Sequence, residues 1–371
     1  MKKRMIMKSI CFILTIYTLL CPLCLSAFAE DRAVVSSDFS EECVPALADG
    51  VEVGSRFWEL FFGESKKEKE EITLLPGGGV FGVKIKQKYV TVTDAPGVPA
   101  LKSGDIILSV GGESVRSAKD VRKIVEKSDG NSITIRALHQ GNEIALEIRP
   151  TYQDGEYRLG LSLRDGAAGL GTVTFIDPKT GVFGGLGHGI CDADSGEIIP
   201  MESGEVCGVI LGGIHKGESG KPGELCGVLT ERDFGDLTIN TECGVFGVLT
   251  DMPDSLPQAM AVGRREEITE GEATILSTLK NGKTAEYKIE IYDIDRLSTG
   301  SKSFRVRVTD ETLKALTGGI VRGMSGSPII QNGKLVGAVT HVLVADPTEG
   351  YGIFIENMLD VVNDYRVKNA A

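Results

Sequence analysis

The hexapeptide Gly323-Met324-Ser325-Gly326-Ser327-Pro328 constrains this chain more than any other stretch. Glycines on both sides of a serine allow a sharp turn, and their missing Cβ atoms leave the hydroxyl open to an approaching carbonyl group. The run continues as Pro328-Ile329-Ile330, then Gln331-Asn332-Gly333-Lys334, then Leu335-Val336-Gly337-Ala338-Val339. That order reads as strand, Asn-Gly turn, strand. A serine held at the mouth of such a hairpin suits nucleophilic catalysis, with the N–H groups of Gly323 and Ser325 converging on an oxyanion. The plainer reading is a Gly/Ser loop between two strands, and the full pattern favours catalysis over it.

The surrounding chain is built for β-structure. From about Tyr157 onward, short runs of near-alternating polarity stand between Gly, Asp-Pro and Asn-Gly turns. Gly171-Thr172-Val173-Thr174-Phe175-Ile176, Glu272-Ala273-Thr274-Ile275-Leu276 and Ala285-Glu286-Tyr287-Lys288-Ile289-Glu290-Ile291 are examples, and Leu159-Gly160-Leu161-Ser162-Leu163 is another candidate strand. Many short strands with 47 glycines predict a mainly β, closed or sandwiched architecture. A short helix over 312–316 is expected just before the serine turn.

The first 29 residues differ from the rest. Lys2, Lys3, Arg4 and Lys8 precede an apolar run over 10–25, and Ala27-Phe28-Ala29 offers a cleavage site. This predicts an export signal over 1–29, or an uncleaved membrane anchor. Cys21 and Cys24 lack the small residues expected before a lipidated cysteine. Loss of those four basic residues takes the net charge from −12 to −16. So acidic a surface repels phosphate backbones, which argues against nucleic acid. Cys43, Cys191, Cys207, Cys226 and Cys243 remain, an odd and widely spaced set that is no disulfide framework. His215 lies near Cys207 and Cys226, but the paired Cys-x-x-Cys spacing of structural zinc is missing, so no metal is expected.

Residues 30–71 read as a linker, with an apolar knot at Phe57-Trp58-Glu59-Leu60-Phe61-Phe62 and a charge run over 64–71. Over 72–152 the pattern changes. A glycine loop opens into an alternating strand at Leu75-Pro76-Gly77-Gly78-Gly79-Val80-Phe81-Gly82-Val83-Lys84-Ile85. A helix over 117–127 has its apolar stripe at Val121, Ile124 and Val125, and a hairpin surrounds Gln140-Gly141-Asn142. With Gly104-Asp105-Ile106-Ile107-Leu108-Ser109-Val110-Gly111-Gly112, the segment resembles a PDZ domain of the bacterial protease-associated type. The resemblance implies that a peptide segment adds as a strand in a groove. Gly78, Gly79, Val80, Phe81 and Gly82 would hold its carboxylate, and Val121 would form the helix wall.

A serine hydroxyl needs a base within hydrogen-bond reach. Of four histidines, His139 falls at a hairpin tip, His215 in a Gly/Lys-rich loop, and His341 on an apolar strand face. His188 sits in Phe183-Gly184-Gly185-Leu186-Gly187-His188-Gly189-Ile190, where glycines clear space around an imidazole. His188 is the expected base. For the orienting carboxylate, Asp310 at a strand end competes with Asp192 and Asp194, close to His188 in sequence. The order His188, Asp310, Ser325 is that of trypsin-like enzymes.

Residues 155–371 resemble the peptidase domain of the SpoIVB sporulation serine peptidases. The matching stretches are Asp165-Gly166-Ala167-Ala168-Gly169-Leu170-Gly171-Thr172, Gly185-Leu186-Gly187-His188, Thr309-Asp310, and the run from Thr317 to Lys334. Val336 to Val342, Asp346-Pro347-Thr348 and Gly350-Tyr351-Gly352 continue it. The resemblance implies a trypsin-like double β-barrel peptidase over 153–371, with catalytic residues His188, Asp310 and Ser325 and no cofactor. It further implies export to the space between forespore and mother-cell membranes. There the family cleaves itself and a membrane-bound regulator of an intramembrane protease, leading to sigma-K activation. The competing reading is a non-catalytic PDZ scaffold that binds peptide segments at the membrane.

Overall fold

A computed structural model describes residues 72–370, apart from 194, 252–256 and 281. The expected export signal and the linker lie outside the described residues. Twelve strands build two rings. The first ring holds β1 (Val80–Asp94), β2 (Ser162–Ile176), β3 (Val182–Gly185), β4 (Met201–His215), β5 (Glu224–Thr241) and β6 (Gly244–Leu249). Its pairings close in the order β1-β2-β3-β6-β5-β4 and back to β1.

The second ring holds β7 (Gly271–Lys280), β8 (Lys283–Tyr292), β9 (Phe304–Val308), β10 (Pro328–Gln331), β11 (Lys334–Leu343) and β12 (Asp346–Phe354). It closes as a barrel in the order β7-β8-β9-β12-β11-β10. Both rings therefore use the same first-second-third-sixth-fifth-fourth order. Closure pairs every edge, which a sheet with so many short strands needs.

Each ring is filled by alternating inward side chains. Phe81, Val83, Ile85, Phe183, Val206, Leu237 and Val245 fill the first, and Ile275, Ile289, Val306, Ile329 and Phe354 belong to the core of the second. Each such burial is worth roughly 1.5–3 kcal/mol, so these cores fix the strand register. A C-terminal helix over Ile355–Ala370 buries Ile355, Met358 and Val362 against Phe175 and Phe246 of the first ring and Ala338 and Ile353 of the second. Among the described residues no helix is long and apolar enough to cross a membrane.

The PDZ-like body is set into the first ring. Strand β1 pairs with β2 from Val80↔Thr172 to Lys86↔Gly166, shifts register, then resumes at Thr91↔Arg164. Before the shift it belongs to the barrel. Beyond it, Val90 and Val92 join a separate core with Leu101, Ile107, Val110, Val121, Val125, Ile133 and Ile135. The helix there spans Ala118–Lys127, with the Ser117 hydroxyl accepting the Asp120 N–H as N-cap. The hairpin spans Ile133–His139 and Asn142–Ile148.

This arrangement corrects the groove assignment. Gly78, Gly79, Val80, Phe81 and Gly82 lie on the barrel side of the register shift, and Phe81 and Val121 occupy different cores. The N–H of Gly77 donates to the Thr174 carbonyl and that of Gly78 to the Val173 carbonyl. The Thr278 hydroxyl of the second barrel donates to the Gly78 carbonyl at 2.9 Å. The glycine loop ties the barrels together, with the Gly78 N–H committed to the barrel side. Residues 72–87 accordingly pack with the barrels, and the PDZ-like body begins near residue 88.

Candidate active site

Ser325 and His188 come from different rings, and both approach Thr340: the Ser325 hydroxyl through the Thr340 carbonyl, His188 through the neighbouring Gly187. His188 follows β3, while Ser325 precedes β10. The turn carrying Ser325 is clasped by β2. The Thr172 N–H donates to the Ser325 carbonyl at 2.9 Å. The Thr172 hydroxyl donates to the Gly323 carbonyl and the Thr174 hydroxyl to the Gly326 carbonyl, each at 2.8 Å and fully buried. Gly326 has φ +93°, and a Cβ there would stand 2.0 Å from the Thr172 carbonyl oxygen and 2.5 Å from the Leu186 nitrogen. Only glycine fits that approach.

The clasp leaves useful donors free. Among the described residues, the N–H groups of Gly323 and Ser325 donate to no protein acceptor, whereas Met324 N–H donates to Val321 at 3.0 Å. Two unspent N–H donors beside a serine are available to an oxyanion. The Ser325 hydroxyl itself donates to the Thr340 carbonyl at 2.7 Å.

Thr340 leads directly to the histidines. Gly187, at φ +67°, brings its Cα against the Thr340 methyl group, so His188 is presented beside β11. The His188 and His341 rings lie 4.9 Å apart between centroids. Both line a cleft of about 400 Å³ with Ala168, Gly169, Leu186 and Ile190. A larger cavity of about 610 Å³ lies on the PDZ-like body among residues such as Gly111, Ile124 and Arg136, away from this chemistry.

The His188 ring nitrogen Nδ1 lies 2.9 Å from the Gly189 carbonyl oxygen. A carbonyl can only accept, so Nδ1 carries the proton and Nε2 is left as the acceptor. Burial lowers the His188 pKa from its ordinary value, partly opposed by the Gly189 bond. His341 is pushed down to about 4 by burial, then by the neighbouring His188 and Lys302. Its Nδ1 is buried without a partner. His188 is thus an imidazole whose Nε2 meets no hydrogen-bond partner among the described residues. Sequence reasoning set His341 aside as a packed strand residue, and missed that a bulge near 339–342 turns it into the cleft.

Asp310 is elsewhere. It is the N-cap of a helix over Glu311–Thr317, accepting the Leu313 N–H at 2.9 Å and the Lys288 N–H at 3.2 Å. Burial raises its pKa, but the Leu313, Lys288 and Thr312 N–H groups outweigh that and leave it low. Val342, next to His341, pairs with Gly350, which pairs with Val306. Asp310 is four residues beyond Val306, roughly 13 Å along an extended strand. The expected contact between Asp310 and His188 is therefore not made. Asp192 is also committed, to Arg164 and to the Ser195 N–H, and Asp194 lies outside the described residues.

Other candidates resolve in the same way. His139 is no bare hairpin tip, since its Nδ1 lies 2.9 Å from the carboxylate of the buried Asp105. Cys207 and Cys243 are buried, and among the described cysteines Cys226 alone has a contact with His215. At the PDZ-like body, the N–H groups of Leu159, Gly160 and Leu161 donate to no acceptor among the described residues. They lead into the start of β2, where the Asp165 carboxylate accepts the Ala118 N–H of the helix at 2.7 Å. These donors border the PDZ-like core, which the 78–82 loop does not. The signal was present in sequence, as an apolar-Gly-apolar turn opening an alternating strand.

The family described as SpoIVB peptidase S55 matches residues 155–359, more than half of the chain. This chain belongs to that family. The SpoIVB peptidase family makes it a serine peptidase, in keeping with the clasped serine. Serine protease HTRA1 of Xenopus tropicalis is 33% identical over 102 residues, 26% of this chain. Those residues span only 20% of that relative. Among solved structures, the active form of the Rv3671c protease of M. tuberculosis aligns over 52% of this chain and 72% of its own, at 14% identity and a TM-score of 0.31. The PDZ domain of an SdrC-like protein from Listeria monocytogenes aligns over 22% of this chain and 93% of its own, at 23% identity and a TM-score of 0.20.

Proposed function

We propose that this SpoIVB-family chain is an exported signalling endopeptidase whose nucleophile is Ser325 and whose general base is His188. The carrying observation is the combination of a clasped serine turn, with two unspent N–H donors, and a half-buried histidine whose Nε2 is free. In the first step the Ser325 oxygen bonds to the scissile carbonyl carbon while its proton passes to His188 Nε2. The carbonyl π pair moves onto oxygen, and the N–H groups of Gly323 and Ser325 hold the oxyanion. Collapse breaks the C–N bond as His188 returns the proton to the leaving amine, and water then releases the acyl group.

The Gly189 carbonyl takes the orienting part that a carboxylate fills in a Ser-His-Asp triad: it holds Nδ1–H and fixes the tautomer. Attack requires the Ser325 hydroxyl to leave the Thr340 carbonyl and rotate towards Nε2. Substrate entering the cleft beside β2 supplies that change. The substrates of this reading are the chain itself and a membrane-bound regulator of an intramembrane protease, in the space between forespore and mother-cell membranes, ahead of sigma-K activation. A peptide terminus docks beside the start of β2, its carboxylate on the N–H groups of Leu159, Gly160 and Leu161. No metal or organic cofactor takes part in the bond-breaking steps.

Self-processing of the purified full chain tests this. Ser325→Ala and His188→Ala should each abolish it. Unchanged processing in folded Ser325→Ala chain would sink the reading.

A further inference from the structure

Strands β4 and β5 form a hairpin whose end gathers three metal-ligating side chains. In the register His215 faces Glu224 directly, and Cys226 faces Gly213. Alternation along β5 puts Glu224 and Cys226 on one face of the hairpin. Gly213 offers no side chain opposite the thiol, and the space where its Cβ would lie is open to 4 Å. His215 Nδ1 therefore stands 3.0 Å from Glu224 Oε1 and 3.5 Å from Cys226 Sγ. All three donor atoms lie within 4.8 Å of one another. A tetrahedral ion with bonds of about 2.0–2.3 Å needs neighbouring donors about 3.3–3.6 Å apart. The observed spacings require only small side-chain movements to meet that.

We propose that His215, Glu224 and Cys226 form a zinc site, with solvent in the fourth position. An imidazole nitrogen, a thiolate and a carboxylate suit a borderline-soft divalent ion, whereas calcium and magnesium prefer oxygen donors alone. The cysteine spacing in sequence gave no such sign, because the ligands come from two strands joined by a turn.

The site is coupled to the catalytic turn through the backbone. Glu224 bridges in parallel to Arg322, the Leu225 N–H donates to the Arg322 carbonyl, and the Arg322 N–H donates to Gly223, each at 2.9 Å. Leu225 is buried, and its side chain lies 3.1 Å from where a Gly323 Cβ would be. An ion gripping Glu224 and Cys226 pins the segment against which Gly323 rests. Zinc thus favours the formed oxyanion turn and raises peptide hydrolysis; this second part rests on the function proposed above.

Cobalt(II) is the direct probe, titrated into reduced full-length Ser325→Ala chain so that self-cleavage does not intervene. The expected result is one equivalent bound, with tetrahedral d–d bands and a thiolate-to-cobalt absorption. Cys226→Ser should abolish the thiolate band, and His215→Ala or Glu224→Gln should weaken binding at least tenfold. Cys191→Ser should leave it intact. The ligands lie at or near the surface, and unaltered thermal unfolding of each metal-free variant would show that it folds. No thiolate band, or one that survives Cys226→Ser, overturns the site. In the Ser325 enzyme, zinc should raise the hydrolysis rate about two- to tenfold, and by less than twofold in Cys226→Ser. Binding with no rate change overturns the coupling to Gly323. Absent hydrolysis with or without zinc counts against the peptidase reading, and the cobalt titration separates that failure from failure of the site.

Discussion

His188 Nδ1 faces the carbonyl oxygen of Gly189 at 2.9 Å, so this imidazole is held by its own chain neighbour. Asp310 meanwhile spends its carboxylate on backbone N–H groups of Leu313 and Lys288. The chemistry and the fold assign different work to the two residues.

Substitution at Asp310 separates those roles. Asparagine keeps an N-capping oxygen, so folded Asp310→Asn chain should retain activity within a few-fold, with somewhat reduced stability through the Lys288 bond. Alanine removes the cap and should cost about 1 kcal/mol, within the 0.5–2 kcal/mol usual for such caps. Urea unfolding of both variants, alongside kcat/KM on folded material, checks this. A loss of several hundredfold in folded Asp310→Asn would restore the carboxylate to the catalytic centre.

Thr172 should behave as part of the site although it touches no substrate. Thr172→Val keeps the shape and removes the donor to the buried Gly323 carbonyl. An orphaned buried acceptor costs about 1–3 kcal/mol. Because the strain falls on the oxyanion turn, kcat should drop by roughly 10- to 100-fold in the manner of lost oxyanion donors, with KM little changed. A stability loss with unaltered kcat would make Thr172 structural alone.

Acid should affect rate and stability through the paired histidines. His188 works as a base only when neutral, and burial lowers its pKa, so the acid limb of kcat/KM should fall below 6.5. His341 drops to about 4 in the fold. Its folded pKa lies below the unfolded value, so between pH 6.5 and about 4 the unfolded chain binds more protons. Its contribution to stability is therefore present above 6.5 and is lost as the pH falls towards 4. Urea midpoints across that window should fall less steeply in His341→Gln than in the parent chain.

Peptide docking should follow the N–H groups of Leu159, Gly160 and Leu161. A bound peptide with a free C-terminal carboxylate should lose at least tenfold in affinity when amidated. Gly79→Ala, where a Cβ meets nothing within 4 Å, should leave that affinity unchanged. Calorimetric titration of the full chain distinguishes the two loops.

Much of this was legible in sequence because it is local. The helix ending at Lys127, the hairpin around Gln140 and the strands after Pro328 follow from neighbouring residues, and each appears where patterning placed it. The glycine collar also marked His188, since Gly187 is what lets the chain approach Thr340. Asp310 misled because Thr-Asp followed by a helix reads equally as a cap and as a catalytic acid. Closed β-architecture was legible, but the pairing that closes the first ring was not. It depends on β2 pairing with β1 across the PDZ-like body, and on a register shift after Lys86 that no local pattern encodes. For the same reason a glycine loop in front of a PDZ-like segment read as that segment's own loop.

The most direct measurement is intact-mass analysis of the full chain after treatment with a fluorophosphonate. One adduct should form, on Ser325, and it should vanish in Ser325→Ala and become far slower in His188→Ala. Labelling absent from the folded parent chain, or unchanged in Ser325→Ala, would contradict Ser325 as the nucleophile.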